Sequence, residues 1–297
     1  MLSDAQIASY HENGFLRIPD AYTAEEVERL RADMNWMIET WAEVESGWSG
    51  PWRKELMDSE TEAKSKLVSM HDLHFYAQSW MSAITKPSVA EAMSQLLTGD
   101  ADGPEGAPVE VHHSTMHVKP PETGHPFPMH QDWAFYKHAD DRYIDALVHL
   151  DDTSHANGEI RFLKGSHKSG PLDHITSHTN ENGDDEECTP QLSQSEYRLE
   201  DTEAVPAKAG DLVLFNINTV HGSHINSTGD MRRMVRVGYK HPANQQIEGQ
   251  SWGRPGVIIK GRRPRRDGQP LFSGEGPTAE KLGLKAGKAG FDSRVDA

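Results

Sequence analysis

From residue 108 onward the chain is cut into short runs of β-type residues separated by turn signals, and this punctuation limits the fold more than any other feature. The runs are VHHSTMHVK (111–119), YIDALVHLD (143–151), GEIRFLK (158–164), DLVLFNI (211–217) and RMVRVGYK (233–240). Side chains alternate across a strand, so Ile144, Ala146, Val148 and Leu150 share one face of the second run. Several short strands with turns between them predict a β-sandwich or barrel. The polar, acidic stretch 174–202 reads as a long inserted loop, the kind of segment that often serves as a lid.

Residues 1–107 read differently, as mainly helical. LSDAQIASYHENG reads as a short helix that starts at a Ser3/Asp4 cap and is closed by Gly14, and FLRIP reads as a short strand. Thr23 and Glu26 form a capping-box pattern ahead of a longer helix. On that helix Val27, Leu30, Met34, Met37, Ile38 and Trp41 recur at helical spacing and predict core packing. PSVAEAMSQLL (87–97) predicts a further helix, and GDADGPEGAP (99–108) is a linker. The expected organisation is one domain over 1–297: helices in 1–107, the β core in 108–241 and a C-terminal extension in 242–297.

Charge and cysteine content narrow the partners. A net charge of −16 opposes binding to nucleic acid or an anionic membrane. No apolar run approaches the roughly 18–20 residues that a membrane span needs, and the N-terminus lacks the pattern of a secretory signal. Cys188 is the sole cysteine, which excludes a disulfide framework and cysteine-rich metal sites and makes a reducing cytoplasm the simplest location. Its acidic surroundings, GDDEECTP, argue against a reactive thiolate. The one basic cluster, Arg262, Arg263, Arg265 and Arg266, reads as a solvated tail segment. The sequence sets no oligomeric state.

In MHQDWAFY, His130 and Asp132 stand two apart, so on an extended strand an imidazole and a carboxylate face a common point. A second imidazole from a distant strand would complete the two-histidine, one-carboxylate set that suits non-heme iron(II) and leaves coordination positions open. His-x-Asp alone is a weak signal in a chain with 17 histidines. His221, at the exit of DLVLFNI, is the candidate partner, and Arg232 follows eleven residues later. Arginine holds a carboxylate through two parallel hydrogen bonds, as the distal end of a 2-oxoglutarate cosubstrate requires, and Ser223 offers a hydroxyl nearby.

Three segments, KPPETGHPFPMHQDWAFY (119–136), ANGEIRFLKGSHKSG (156–170) and GDLVLFNINTVHGSHINSTGDMRR (210–233), together resemble the phytanoyl-CoA dioxygenase family of Fe(II)/2-oxoglutarate oxygenases. They occur in the family's order, and DAQIASYHENGFLRIPDAYTAEEVERLR resembles its usual opening. The resemblance implies a mainly β fold with flanking α-helices, built on a double-stranded β-helix (jelly-roll, cupin-like) core. It implies iron ligands at His130, Asp132 and His221, the 2-oxoglutarate arginine at Arg232, and Ser223 in support. Arg233 is a rival anchor by adjacency, because neighbouring strand residues face opposite ways. Arg236 shares the parity of Arg232 and would either face the cavity or pair with an acidic neighbour.

The implied reaction uses Fe(II), 2-oxoglutarate and O₂ to hydroxylate an unactivated C–H bond of a small-molecule metabolite, releasing succinate and CO₂. Related halogenases lack the carboxylate ligand, so Asp132 favours hydroxylation. Two alternatives remain: an acyl-CoA 2-hydroxylase of the phytanoyl-CoA type, and a metal-binding jelly-roll isomerase or hydrolase that needs no Arg232. His112, His113 and His117 are expected to bind no metal, with His112 and His117 on opposite faces. Asn157-Gly158 and Gly165-Ser166-His167 read as structural turns, and Phe127 and Trp133 as pocket walls or barrel packing.

Overall fold

The computed structural model describes residues 1–99, 102–103, 105–180, 182–253 and 255–263. Arg265, Arg266 and most of the expected C-terminal extension lie outside the described residues.

Helix α1 (Asp4–Asn13) starts at a Ser3–Gln6 capping box and stops at Gly14, whose φ of 88° is left-handed. Strand β1 (Phe15–Ile18) leads into α2 (Ala24–Thr40), opened by the Thr23–Glu26 box. Val27, Leu30, Met34 and Met37 are buried as the spacing predicts. Trp41 is not: α2 ends at Thr40, the chain turns off the core face, and the indole is 56% exposed. Strand β2 (Glu43–Glu45), α3 (Arg53–Leu56), α4 (Ser59–Lys64), β3 (Leu67–His71), α5 (Gln78–Ile84) and α6 (Pro87–Leu97) complete this half. The helical reading of 1–107 anticipated β1 but missed two strands, β2 and β3, which are too short and too irregular in pattern to signal themselves.

The β region contributes β4 (Val109–Lys119), β5 (Phe127–His130), β6 (Tyr143–His149), β7 (Ile160–Phe162), β8 (Ile175–Thr179), β9 (Asp185–Gln191), β10 (Glu203–Ala204), β11 (Leu212–Asn216), β12 (His221–Ser223), β13 (Arg232–Lys240) and β14 (Val257–Lys260). An eight-stranded sheet runs β1-β11-β6-β13-β4-β3-β2, with β14 also on β4, and faces a four-stranded sheet ordered β10-β7-β12-β5. The pairings between these strands are antiparallel, as in a jelly-roll. Ile144, Ala146, Val148 and Leu150 pack outward into the main core with the helices, while Leu147, Phe162, Val213 and Phe215 fill the space between the sheets. This alternation is what a strand buried on both faces requires. Among the described residues, no helix is long and apolar enough to cross a membrane.

Residues 174–202 are not an irregular loop. Strands β8 and β9 pair as a hairpin whose turn includes Gly183 at φ 88°. The Asn180 and Asn182-Gly183 turn residues carried that signal, hidden by the acidic composition. Arg263 also departs from the solvated-tail reading: it donates to the buried Glu110 carboxylate at 2.6 Å and to the Gly256 carbonyl at 3.1 Å. A bulge opposite Gly238 makes His112 the extra residue of β4, between Val111 and His113. It shifts the parity of β4, and the His112 and His113 Nδ1 atoms come within 2.9 Å.

Candidate active site

Strands β12 and β5 pair with His221 opposite His130. Strand β5 ends at His130, and Asp132 opens a 3-10 turn rather than continuing the strand. Gln131 between them stays extended (φ −111°, ψ 138°), so the carboxylate remains on the imidazole's side. Gln131 is itself buried and anchored, donating to the Gly170 and Asn218 carbonyls. Asp132 Oδ1 lies 3.5 Å from His130 Nε2 and 3.8 Å from His221 Nε2. All three side chains are buried, and one ligand atom from each falls within 4.8 Å of the others.

The imidazoles are fixed in one tautomer. Nδ1 of His130 donates to the Pro128 carbonyl at 2.8 Å, and Nδ1 of His221 to the Thr219 carbonyl at 2.9 Å. Each Nε2 lone pair is left facing Asp132, as metal-ligating histidines are held by their outer partners. Burial pushes the His221 imidazole down to about 3, so it is neutral. Burial alone would raise the Asp132 carboxyl, but the Arg236 guanidinium and the two imidazoles hold it well below the usual range. Two imidazole nitrogens and one carboxylate oxygen converging on a point fit divalent iron. The Thr219 carbonyl is itself braced: Thr219 Oγ1 and the Asn216 amide both donate to the Gly14 carbonyl, at 2.8 and 2.9 Å.

Arg232, Met234 and Arg236 of β13 point inward, opposite Lys119, His117 and Thr115 of β4. Arg236 pairs with acidic neighbours, and one of them is Asp132 itself: Nη1 lies 3.2 Å from Asp132 Oδ2 and 3.2 Å from Asp145 Oδ1. Tyr136 joins this group, accepting from Arg236 and donating to Asp145 Oδ2 at 2.9 Å. Burial and the nearby Asp132 charge push the Asp145 carboxyl well up.

Arg232 is 1% exposed, and its Nε and Nη2 have no hydrogen-bond partner. Burial lowers the guanidinium to about 10, still charged at neutral pH. Its neighbour Lys119 is fully buried and donates to Ser223 Oγ at 2.7 Å and to the His224 carbonyl. His149, fully buried on β6, leaves both ring nitrogens unpartnered. Arg233 faces the other way and is spent on Asp151 at 2.8 Å and Asn35 at 2.9 Å. Nothing in the sequence pattern marked Lys119 or His149; both looked like strand ends.

A cavity of about 570 Å³ reaches from the triad to the surface, within the range of small-molecule sites. Phe127 and Ser223 line it; Trp133 does not, and packs instead beside Tyr136, Tyr143 and Ile217. Arg232 lies one step deeper than the lining residue Met234 and does not reach the cavity surface. No described residue of 174–202 lines the cavity; its mouth is built by the 41–48 and 67–76 segments. Trp48, from what read as a helix-breaking stretch, packs edge-on against His130 with centroids 4.7 Å apart. Its amide donates to His125 Nε2 at 3.0 Å, and Gly47 (φ 89°) permits that approach, since a β-carbon there would lie 2.4 Å from His125 Nδ1.

Comparison with known proteins agrees with this architecture. Residues 10–234 match the profile of the phytanoyl-CoA dioxygenase (PhyH) family. The chain is 29% identical over 239 residues to a probable alpha-ketoglutarate-dependent hypophosphite dioxygenase of Stutzerimonas stutzeri, covering 79% of this chain and 77% of that protein. It is 29% identical over 258 residues to the ectoine dioxygenase of Bordetella parapertussis, covering 82% of this chain and 77% of that one. The crystal structure of SnoK, a non-heme alpha-ketoglutarate-dependent carbocyclase from nogalamycin biosynthesis, shares the fold with a TM-score of 0.63 at 20% identity, over 88% of this chain and 94% of that one. The chain belongs to the phytanoyl-CoA dioxygenase family of iron- and 2-oxoglutarate-dependent dioxygenases.

Proposed function

We propose that this enzyme hydroxylates an unactivated C–H bond of a small-molecule metabolite, with iron(II) held by His130, Asp132 and His221 and the distal carboxylate of 2-oxoglutarate held by Arg232 and Ser223. The observation that carries the reading is the convergence of three buried ligand atoms beside an arginine that is buried and partnerless. An unpaired buried guanidinium is costly unless a ligand's charge offsets it. Iron with 2-oxoglutarate and O₂ supplies the oxidation, with succinate and CO₂ as the other products.

The chain's own groups position the reactants. The Pro128 and Thr219 carbonyls hold both Nε2 lone pairs toward the metal position. Arg236 occupies Asp132 Oδ2 and leaves Oδ1 to the metal. Lys119 donates to Ser223 Oγ, which frees the hydroxyl proton to donate onward to the cosubstrate. Trp48, Phe127 and Phe135 form an apolar wall around His130 that excludes water. A carboxylate in the triad leaves no position for a halide, which favours hydroxylation.

The relatives named for hypophosphite and ectoine act on small molecules, which supports a small free metabolite over an acyl-CoA. The carboxylates Glu43 and Glu45 at the mouth also oppose a phosphate-rich coenzyme. The sole cysteine, buried and unpaired, supports a reducing cytoplasm. The test is succinate release from 2-oxoglutarate across a panel of small metabolites, with anaerobic Fe(II)/2-oxoglutarate absorption as the binding readout. His130→Ala and His221→Ala are expected to lose both signals, and full activity in either variant would refute the ligand assignment.

A further inference from the structure

The mouth of the cavity has a chemistry of its own. Strand β2 pairs with β3 so that Glu43 stands opposite Ser69 and Glu45 opposite Leu67, and all four residues line the cavity. Two residues apart on one strand, the two carboxylates share a side, whereas Val44 between them does not line the cavity and is 63% exposed. Among the described residues neither glutamate makes an ion pair. Aromatic rings line the same cavity: Trp41 and Tyr76 lie 5.4 Å apart, and Trp48 and Phe135 4.8 Å apart. Trp41 and Tyr76 are 56% and 43% exposed, a surface that gains from being covered by a ligand.

Deeper in, His117 lines the same cavity with both ring nitrogens shielded from solvent and unpartnered. It offers a hydrogen bond to a group that is not protein. The cavity is also poor in free positive charge. Among the described residues no lysine lines it, and the one lining arginine, Arg236, is committed to Asp132 and Asp145. An anionic group held at this mouth meets two like charges and no free cation among the described lining residues. A positive group meets carboxylates and ring faces, the pair of features that hold organic cations.

We propose that this mouth recognises an organic cation, so that the substrate carries an alkylammonium, amidinium or guanidinium group bound by Glu43, Glu45 and the Trp41–Tyr76 pair. The inference rests on the cavity being the active site. It assigns the substrate's charged end to β2 and the α2 exit, and its polar middle to His117.

The test uses three probes of one shape and different charge: choline, 3,3-dimethyl-1-butanol and 3,3-dimethylbutanoate. Each is titrated calorimetrically into the full chain loaded anaerobically with Fe(II) and 2-oxoglutarate. Choline is expected to bind about tenfold or more tighter than the neutral alcohol, and the carboxylate weakest. The Glu43→Gln/Glu45→Gln double variant is expected to abolish that order, and Trp41→Ala to weaken choline alone. Equal affinities, no choline binding, tighter carboxylate binding, or a preference that survives the double variant would overturn the proposal. A failed preference with an intact Fe(II)/2-oxoglutarate absorption band sinks only this inference; absence of the band in the unmodified chain sinks the reading beneath it.

Discussion

The two ends of the active-site barrel are built to opposite rules. The floor, around Arg232, Lys119 and His149, is buried, partly without partners and holds the Arg232 charge. The mouth, around Trp41, Glu43, Glu45 and Tyr76, is acidic, aromatic and open. The floor rides on β4, β6 and β13, the centre of the large sheet, where neighbouring strands fix every side chain. The mouth rides on β2 at the sheet's outer edge and on the chain leaving α2. A fixed, desolvated floor suits one invariant dianionic cosubstrate; an edge that tolerates change suits the partner that differs among relatives.

The comparison breaks first at the metal. His130→Ala or His221→Ala is expected to reduce succinate release to background, whichever end is otherwise intact. Next is the floor itself: Arg232→Ala is expected to raise the 2-oxoglutarate KM by about a hundredfold, since truncating a buried charge partner costs roughly 2–5 kcal/mol. Iron affinity measured by anaerobic titration should hardly move. A large loss of iron binding instead would mean that Arg232 serves the metal.

Acid should weaken the buried regions more than the exposed mouth. Burial holds His125 at about 2, and His138 and His149 at about 3, against an ordinary value near 6.5. All three are neutral when folded, whereas the unfolded chain takes up protons below about 6.5. Stability is therefore full above that value and falls as pH drops from 6.5 toward 3, by up to about 1.4 kcal/mol per pH unit for each histidine. Urea midpoints at pH 7.5 and 5.5 should show the loss, and His138→Gln should flatten it. An unchanged midpoint would mean that these imidazoles are protonated in the fold.

Smaller effects separate the ends more finely. Gly47→Ala forces a β-carbon against His125 and is expected to cost about 1–3 kcal/mol of stability. It should loosen Trp48 and raise the KM for the hydroxylated substrate while leaving that for 2-oxoglutarate alone. Arg233→Ala removes a half-buried ion pair with Asp151 and is expected to cost about 1 kcal/mol or less. The 2-oxoglutarate KM should stay within about twofold, as an outward side chain requires; a large rise would exchange the roles of Arg232 and Arg233.

Much of this was legible in the sequence where the signal is local. The Thr23–Glu26 capping box, the Gly14 stop and the strands containing 143–149 and 212–216 follow from spacing and turn chemistry alone. The inward row of β13 also follows, because parity survives along an unbroken strand. What escaped depends on distant partners. Trp41 has helical spacing but follows the last helical residue, so the pattern overran the helix. His112 was assigned a face by a parity that the bulge at Gly238 breaks. Lys119 and His149 carry no motif; only the closing of β4, β6 and β13 makes them neighbours of Arg232. Trp48 needed the tether from His125, 77 residues away.

The hydrogen bonds from Asn216 and Thr219 to the Gly14 carbonyl have a consequence in time. The group that fixes the His221 tautomer, the Thr219 carbonyl, is steadied by a residue at the opposite end of the chain, 205 positions earlier. Strand β1 meets β11 across the same span. Contacts this remote close late in folding, after local structure has formed. During synthesis the N-terminal helix must wait, already made, for β11 and β12 to emerge. Only then is the last imidazole aimed, so iron loading becomes a late checkpoint on a finished barrel.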